Sequence, residues 1–595
     1  MAASPDSTHQ IPHLVRPVSL VGRLNSWKEI AIFFDRDVRT VQLWEKKEGL
    51  PVRRQTHSSR ASVYAYAVEL EAWQRARTRR AEFDYLPAAA PAAAPQPRNE
   101  TQLPKSSTRW WALPIAWLVC LLVGTVWYVR RPAPPARRAE DQALAVLPFV
   151  NLTGARGEDY LSDGLTDELT TVLSSHFPVN VVARSSAFIF KGSSDDARTI
   201  GERLNADMLV EGSVENRGGQ MRINVRLVRP SDGVPVWSHL YDANFENTPG
   251  VEARMENDIA SALHIQPQAN AVENPSGADQ QAHELYLRGE YWWNQRSPSA
   301  LWKSADYFNQ AIAREPLFTP AYLGLAESYT VLGTNDEARP SDVIPKARAA
   351  AEKALQIDPS LGEAHAILAH IEWAYDWNYP GAENEFRKAI SANPNFAPAH
   401  HWYALLLMYE GRFTEATQEF QRAMALDPLS MVLPSAFSRM YEYAGDFDSG
   451  IRVCQQAMRG NSNYPLLHFA IGQLYLYQGK YPLAQQELEK YYSLSNHDPD
   501  ALAVLALIHA RQGDRAGAKE LLSKVADPRA GYTSAYDLAE IYAALGEKAQ
   551  AYQLLDQAIS EHSPALVQLL VDPAFAGIRS EPRFQQLLRR TGHPV

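Results

Sequence analysis

The sequence predicts a multidomain chain: a small basic helical head, a single membrane-spanning helix, an α/β domain with a mixed sheet, and an all-α solenoid. Three observations predict it. Residues 110–129 are an uncharged apolar stretch, residues 142–264 alternate strand-like and helix-like patterns, and beyond residue 283 the pattern repeats with a period of about 34. At 595 residues the chain can bury several cores. Its charge is uneven: residues 22–80 hold 13 Lys and Arg against 7 Asp and Glu, residues 1–140 carry +9, and the whole chain carries −10, which leaves −19 on residues 141–595. A basic head on an acidic body points to a polyanionic partner for the head alone. The two cysteines, Cys120 and Cys454, are placed for neither a disulfide nor a thiolate metal site, so they leave the compartment open.

In the head, LNSWKEIAIFF opens with Ser26 as N-cap and Glu29 three residues on, a capping box before a first helix. Asp35-Arg36-Asp37 makes a polar turn, and Asp37 caps VRTVQLWEKKE, in which Val38, Val41 and Trp44 are expected to face the core. The opposite face carries Arg39, Gln42 and Lys46, flanked by Thr40 and Lys47. An Arg can fork onto guanine, a Gln can pair with adenine, and Lys suits phosphate. Gly49-Leu50-Pro51 ends that helix. A basic hairpin around residues 56–60 then brings Arg53, Arg54 and Arg60 to the DNA backbone. AVELEAWQRARTRR closes the unit as a third helix with Val68, Leu70, Trp73 and Ala76 inward. Taken whole, residues 22–77 resemble the winged helix-turn-helix of the MerR and excisionase type, and the resemblance implies binding of double-stranded DNA.

Residues 81–109 and 130–141 are Pro/Ala-rich linkers. If polyproline-like, the 22 residues of 86–107 reach at most about 68 Å, so the head stays near the bilayer. Between the linkers, WWALPIAWLVCLLVGTVWYV at 110–129 makes a helix of about 30 Å, the thickness of a bilayer core, with Trp110, Trp111, Trp127 and Tyr128 at its two ends. Arg98, Lys105 and Arg109 precede it and Arg130, Arg131, Arg137 and Arg138 follow it, so charge alone does not orient it.

Residues 142–264 read as βαβαβββα. QALAVLPF is a near-continuous apolar strand, and DYLSDGLTDELTTVLSSHF carries Leu161, Leu165, Leu169, Val172 and Leu173 on one helical stripe. In QMRINVRL, Met221, Ile223, Val225 and Leu227 alternate with polar residues, so one sheet face is wet. Asp163, Asp167 and Glu168 are expected to be helix-capping charges rather than metal ligands. AVLPF, YLSDGLTDEL, ADMLVEGSV, VRLV and VWSHLYD together resemble the amino-terminal domain of TolB and its relatives in bacterial regulators, which implies a non-enzymatic assembly or sensing module.

After a linker at 265–282, residues 283–562 repeat. Prolines expected to close helix pairs stand at 359, 394, 428, 465 and 499. Ala404, Gly411, Ala416, Phe420, Ala423 and Pro428 occupy small, turn, small, aromatic, small and proline positions, and Ala539, Tyr542, Gly546, Ala551, Leu555 and Ala558 repeat the pattern. This matches the tetratricopeptide repeat, with about eight copies, a break near 335–342 and a C-terminal cap at 563–595. Such repeats imply a concave groove for a protein or peptide partner. The adjacent His400 and His401, and His365 with His370 five residues on, are poorly spaced for metal ligands on one helical face. P-loop, GxSxG, HExxH, GxGxxG and CxxC motifs are absent, so neither an enzyme nor a cofactor is expected.

The parts add up to a bacterial one-component transcription regulator in the inner membrane. Its N-terminus lies in the cytoplasm and its α/β and repeat domains lie beyond the membrane, and two heads are expected to pair on adjacent half-sites as a homodimer. One alternative is a non-enzymatic envelope scaffold whose head binds protein. The other is an N-outside anchor that keeps everything after it cytoplasmic.

Overall fold

The computed structural model describes residues 23–24, 26–34, 36, 38–48, 50–57, 60–66 and 70 of a first compact unit, Met1–Arg130. Of a second unit, Arg131–Val595, it describes residues 142–594 except 153–158, 218–219, 245–247, 267–278, 335–337, 460–461, 496–497, 499 and 527–533. No helix among the described residues is long and apolar enough to cross a membrane. The stretch 110–129, and the expected third helix of the head apart from Leu70, lie outside them.

The first unit runs β1 (Arg23–Leu24), α1 (Trp27–Phe33), α2 (Val38–Glu48), β2 (Arg53–His57) and β3 (Arg60–Tyr66). The three strands form one antiparallel sheet in the order β1-β3-β2, with Arg53 opposite Tyr64 and His57 opposite Arg60. The expected hairpin is there, and β1 adds an edge strand too short to show a period of its own. Ile30, Ala31, Val41, Leu50, Ala65 and Leu70 are buried together, and Trp44 packs edge-on against Phe34 with ring centroids 5.6 Å apart. Val38, expected in that core, is 36 % exposed. It stands at the first residue of α2, one turn before Val41, where the helix has not yet reached the core.

The second unit begins with β4 (Ala143–Val146) and β5 (Val150–Asn151), then α3 (Asp159–His176), β6 (Asn180–Val181), α4 (Arg184–Ala187) and α5 (Ala197–Leu204). It continues with β7 (Met208–Arg217), β8 (Gln220–Arg229), β9 (Val234–Asn244) and α6 (Thr248–Leu263). The sheet is mixed, in the order β6-β4-β7-β8-β9: β4 runs parallel to both β6 and β7, whereas β7, β8 and β9 are antiparallel, and β5 lies parallel to the far end of β7. Met221, Ile223, Val225 and Leu227 are buried, while Asn224 and Arg226 between them are exposed. Against that apolar face α3 packs Leu165, Leu169 and Leu173, and α6 packs Val251, Met255 and Ile259. A smaller core on the other side joins Ala145, Leu209 and Val228 to Phe190, Ile200 and Leu204. Helix α5 starts where Asp196 accepts the Thr199 amide at 2.8 Å, an N-cap, and ends at Asn205 with φ 51°.

Sixteen helices then form eight antiparallel pairs among the described residues. They are α7 (Gln280–Trp293) with α8 (Pro298–Arg314), α9 (Thr319–Thr334) with α10 (Pro340–Ile357), and α11 (Gly362–Ala374) with α12 (Tyr379–Ala392). Next come α13 (Ala397–Tyr409) with α14 (Phe413–Leu426), and α15 (Val432–Ala444) with α16 (Phe447–Ala457). The last three are α17 (Pro465–Tyr477) with α18 (Tyr481–Leu494), α19 (Asp500–Arg511) with α20 (Arg515–Val525), and α21 (Ala535–Ala544) with α22 (Lys548–Ser560). Two 3₁₀ turns, Pro564–Gln568 and Pro573–Phe575, and α23 (Pro582–Arg590) follow.

Ala404, Ala416, Phe420, Ala423, Ala539, Ala551, Leu555 and Ala558 are all fully buried, as the repeat pattern requires. From α13 onward each pair turns on a glycine, Gly411, Gly445, Gly479, Gly513 or Gly546, with φ between 74° and 82°. That left-handed geometry strains any residue with a Cβ. Pro359, Pro394 and Pro428 do follow the second helix of a pair, but Pro465 is the first residue of α17 and opens a pair. Both placements suit a residue that has no N–H to donate.

Candidate functional site

Three places collect chemistry-bearing side chains. In the first unit, Arg39 and Lys46 are exposed on α2 and Arg53 is exposed on β2, while Thr40 and Gln42 are half-buried. Arg39, Gln42 and Lys46 lie three and four residues apart, on one helical face. Lys47, Arg54 and Arg60 belong to α2, β2 and β3, and their side chains lie outside the described residues, as does Asp37.

The second place is the junction of the α/β domain with the solenoid, which sequence reasoning missed. Asp163, Asp167 and Glu168 do not cap α3. The helix starts at Asp159, so these residues lie one to three turns inside it, beyond the reach of its free amides. Asp163 instead accepts Lys191 Nζ at 2.7 and 2.6 Å. Asp167 is paired with Arg184 and accepts Nδ2 of Asn294, the residue just after α7, at 3.2 Å; burial pushes its carboxyl up to about 7 against the pull of that guanidinium. Glu168 meets His283 Nε2 of α7 at 2.8 Å, and Glu252 of α6 lies 3.8 Å from the same nitrogen. Burial and the facing Glu168 carboxylate push the Glu252 carboxyl well above the usual range. Helix α7 can come this close because residue 164 is glycine: a Cβ there would stand 2.6 Å from Leu287 Cδ2.

The α/β domain also grips the far ends of the third and fourth pairs. Asn395 Nδ2 donates to the Val179 carbonyl at 2.8 Å, Arg422 to Asn180 Oδ1 at 2.9 Å, and the Ala183 amide to the Leu426 carbonyl at 2.7 Å. Asp427, just before the repeat proline Pro428, accepts the hydroxyls of both Ser185 and Ser186.

The third place is an aromatic ladder on the first helices of successive pairs. Trp373 stacks on Tyr409 at 5.8 Å, Tyr409 meets Tyr443 at 5.9 Å, and the Arg511 guanidinium lies 4.9 Å from the Tyr477 ring centroid. Tyr409, Tyr443, Tyr477 and Arg511 recur every 34 residues, a signal that was present in the sequence. Residues 562–593 fold back over this ladder. Tyr443 donates to Gln568 Oε1 at 2.9 Å, Arg511 to the Pro573 carbonyl at 3.3 Å, His562 stacks on Trp377 at 4.9 Å, and Tyr379 Oη meets His593 Nε2 at 3.0 Å. The indole N–H groups of Trp293, Trp373 and Trp377 are buried with no acceptor among the described residues.

The repeat histidines serve the helix pairs. His365, His400 and His468 each bring Nδ1 to within 2.6 Å of a glutamate on the second helix of the pair, Glu385, Glu419 and Glu487. Burial drives His370 and His401 down to about 4, so both are neutral at ordinary pH.

Models of the tetratricopeptide repeat match residues 378–430, 469–532 and 533–564, in agreement with the helix pairs. Over 294 residues the chain is 25% identical to a putative adenylate cyclase 3 of Rhizobium meliloti, a match that covers 47% of this chain and 43% of that protein. Over 292 residues it is 22% identical to the transcriptional regulator HilA of Salmonella typhimurium, covering 48% and 50%. The chain thus spans about half the length of the relatives it matches or less. Among solved structures, a tetratricopeptide repeat protein of Parabacteroides merdae is similar at 17% identity and TM-score 0.35, covering 45% of this chain and 99% of that one. A structure of Pseudomonas aeruginosa pilF is similar at 21% identity and TM-score 0.29, covering 37% and 95%.

Proposed function

We propose that the chain is a single-pass membrane transcription regulator that reads double-stranded DNA through a winged helix-turn-helix at residues 22–80 and senses a protein or peptide partner through its TolB-like and repeat domains. The observation that carries this reading is the exposed basic face of α2, Arg39 and Lys46, with Arg53 also exposed on the hairpin, on a unit with a small core of its own. The weak similarity to a regulator named for transcription supports it. Arg39 and Gln42 read base edges, while Lys46, Lys47, Arg53, Arg54 and Arg60 hold phosphates. The apolar stretch 110–129 anchors the chain in the inner membrane, and two heads pair on half-sites.

The test is DNA binding by the full chain in detergent micelles. Binding should weaken with salt with a slope of several units in log–log form, which reports several phosphate contacts. Arg39→Ala with Gln42→Ala should relax sequence preference by about 1–3 kcal/mol per lost base contact, whereas Lys47→Ala should weaken all sequences evenly. No retention of DNA at low salt removes the reading and leaves the envelope scaffold. For the orientation, alkaline phosphatase fused after residue 270 should be active in cells. A silent fusion places the α/β and repeat domains in the cytoplasm instead.

A further inference from the structure

We propose that Glu168, Glu252 and His283 bind a divalent transition metal ion, with zinc as the best fit, at the junction between the α/β domain and the first helix pair. One ligand atom from each lies within 4.8 Å of the other two. The closest pairs are Glu168 Oε1 to His283 Nε2 at 2.8 Å and Glu252 Oε2 to the same nitrogen at 3.8 Å. Tetrahedral zinc, bound to oxygen and nitrogen at about 2.0–2.2 Å, holds its ligand atoms roughly 3.3–3.6 Å apart, so only small side-chain shifts separate this cluster from a coordination shell.

The site is built rather than incidental. The His283 side chain is 6% exposed, and Glu168 Oε2 and Glu252 Oε1 are sealed from solvent with no hydrogen-bond partner among the described residues. The neighbouring acids differ: Asp163 has Lys191 and Asp167 has Arg184, whereas Glu168 and Glu252 have no Lys or Arg partner among the described residues. Two facing buried carboxylates that share one imidazole retain a negative charge unless a proton or a cation joins them. A divalent ion held between the three side chains supplies that positive charge. Two carboxylate oxygens and one imidazole nitrogen make a hard-to-borderline donor set that suits zinc and leaves a fourth position for water.

The three ligands come from α3, α6 and α7, so the ion would tie two helices of the α/β domain to the solenoid. Because one ion would be held by all three at once, its occupancy sets how firmly the two domains are joined.

The test is titration of the metal-free full chain with zinc against a competing chelator, together with visible spectroscopy of the cobalt-loaded chain. About one ion per chain should bind and raise the thermal midpoint, and cobalt should give the intense visible bands of a four-coordinate site. Glu252→Gln removes one of two facing buried carboxylates, so that variant should fold with an unchanged or higher metal-free midpoint yet bind zinc at least about 100-fold more weakly, beyond the loss an outer-shell partner causes. His283→Gln should lose the cobalt bands. Retention of zinc by either variant, or no binding by the wild-type chain, overturns the proposal.

Discussion

Removal of residues 564–595 is expected to destabilise the solenoid more than any single core substitution and to make the chain self-associate. The lost segment buries Leu566, Leu569, Phe575, Ile578, Phe584, Leu587 and Leu588, which form one cluster with Tyr536, Leu555 and Ala558 of the last pair. A single buried Phe replaced by Ala is worth about 3–5 kcal/mol, and here two are removed with their neighbours. The exposed face left on α21 and α22 is an apolar patch of the kind that drives association. Light scattering and thermal unfolding of the truncated chain check this, and a monodisperse monomer with an unchanged midpoint would refute it. A milder lesion reports on the same segment. His593 joins Thr591 Oγ1 at 2.8 Å to Tyr379 and to the Val567 carbonyl at 3.1 Å, and burial lowers its pKa to about 4. A folded-state value below the unfolded 6.5 contributes stability that is complete above pH 6.5 and lost as pH falls toward 4, by about 3 kcal/mol for the 2.5-unit gap. The difference in unfolding free energy between the wild type and His593→Ala should therefore shrink on acidification over that window.

Phe308→Ala should cost about 3–5 kcal/mol and disturb both domains of the second unit. The ring is fully buried on α8 and wedged between two other helices: a Cβ at Gly289 of α7 would lie 2.5 Å from it, and one at Gly324 of α9 would lie 2.3 Å away. Both glycines are needed because the ring fills the space that side chains would take. Repeat arrays are stabilised by nearest-neighbour interfaces, so loss of this wedge loosens α7 from α9. Helix α7 also carries His283 and Glu284, with Asn294 just after its end, and these hold the α/β domain. Hydrogen exchange should accordingly rise in α7 and α3 as well as in α8. A rise confined to α8 would show that the first pair and the α/β domain are not mechanically joined.

Much of the fold was legible in local patterns. The 34-residue period located the helix pairs, because each pair repeats the same small, turn and aromatic positions, and the alternation in β8 told which sheet face is covered. Contacts across long stretches of chain were not legible. Asp163, Asp167 and Glu168 look like capping charges when only their own helix is considered; Lys191 and Arg184 take the first two, and Glu168 meets His283 because α7, more than a hundred residues on, is pressed against that helix. The fold-back of the C-terminal segment joins Tyr379 to His593, 214 residues apart, and no periodicity announces it. Pro465 misled because proline is equally at home just after one helix and at the start of the next. On α2 the charged residues could be placed on one face by spacing alone, but Val38 could not be kept from solvent by it.

The α/β domain holds the coil at its first pair and again at the ends of the third and fourth. It therefore acts as a strut from the first helix pair to the fourth. A partner that winds or unwinds the pairs between those grips has to do work against both at once.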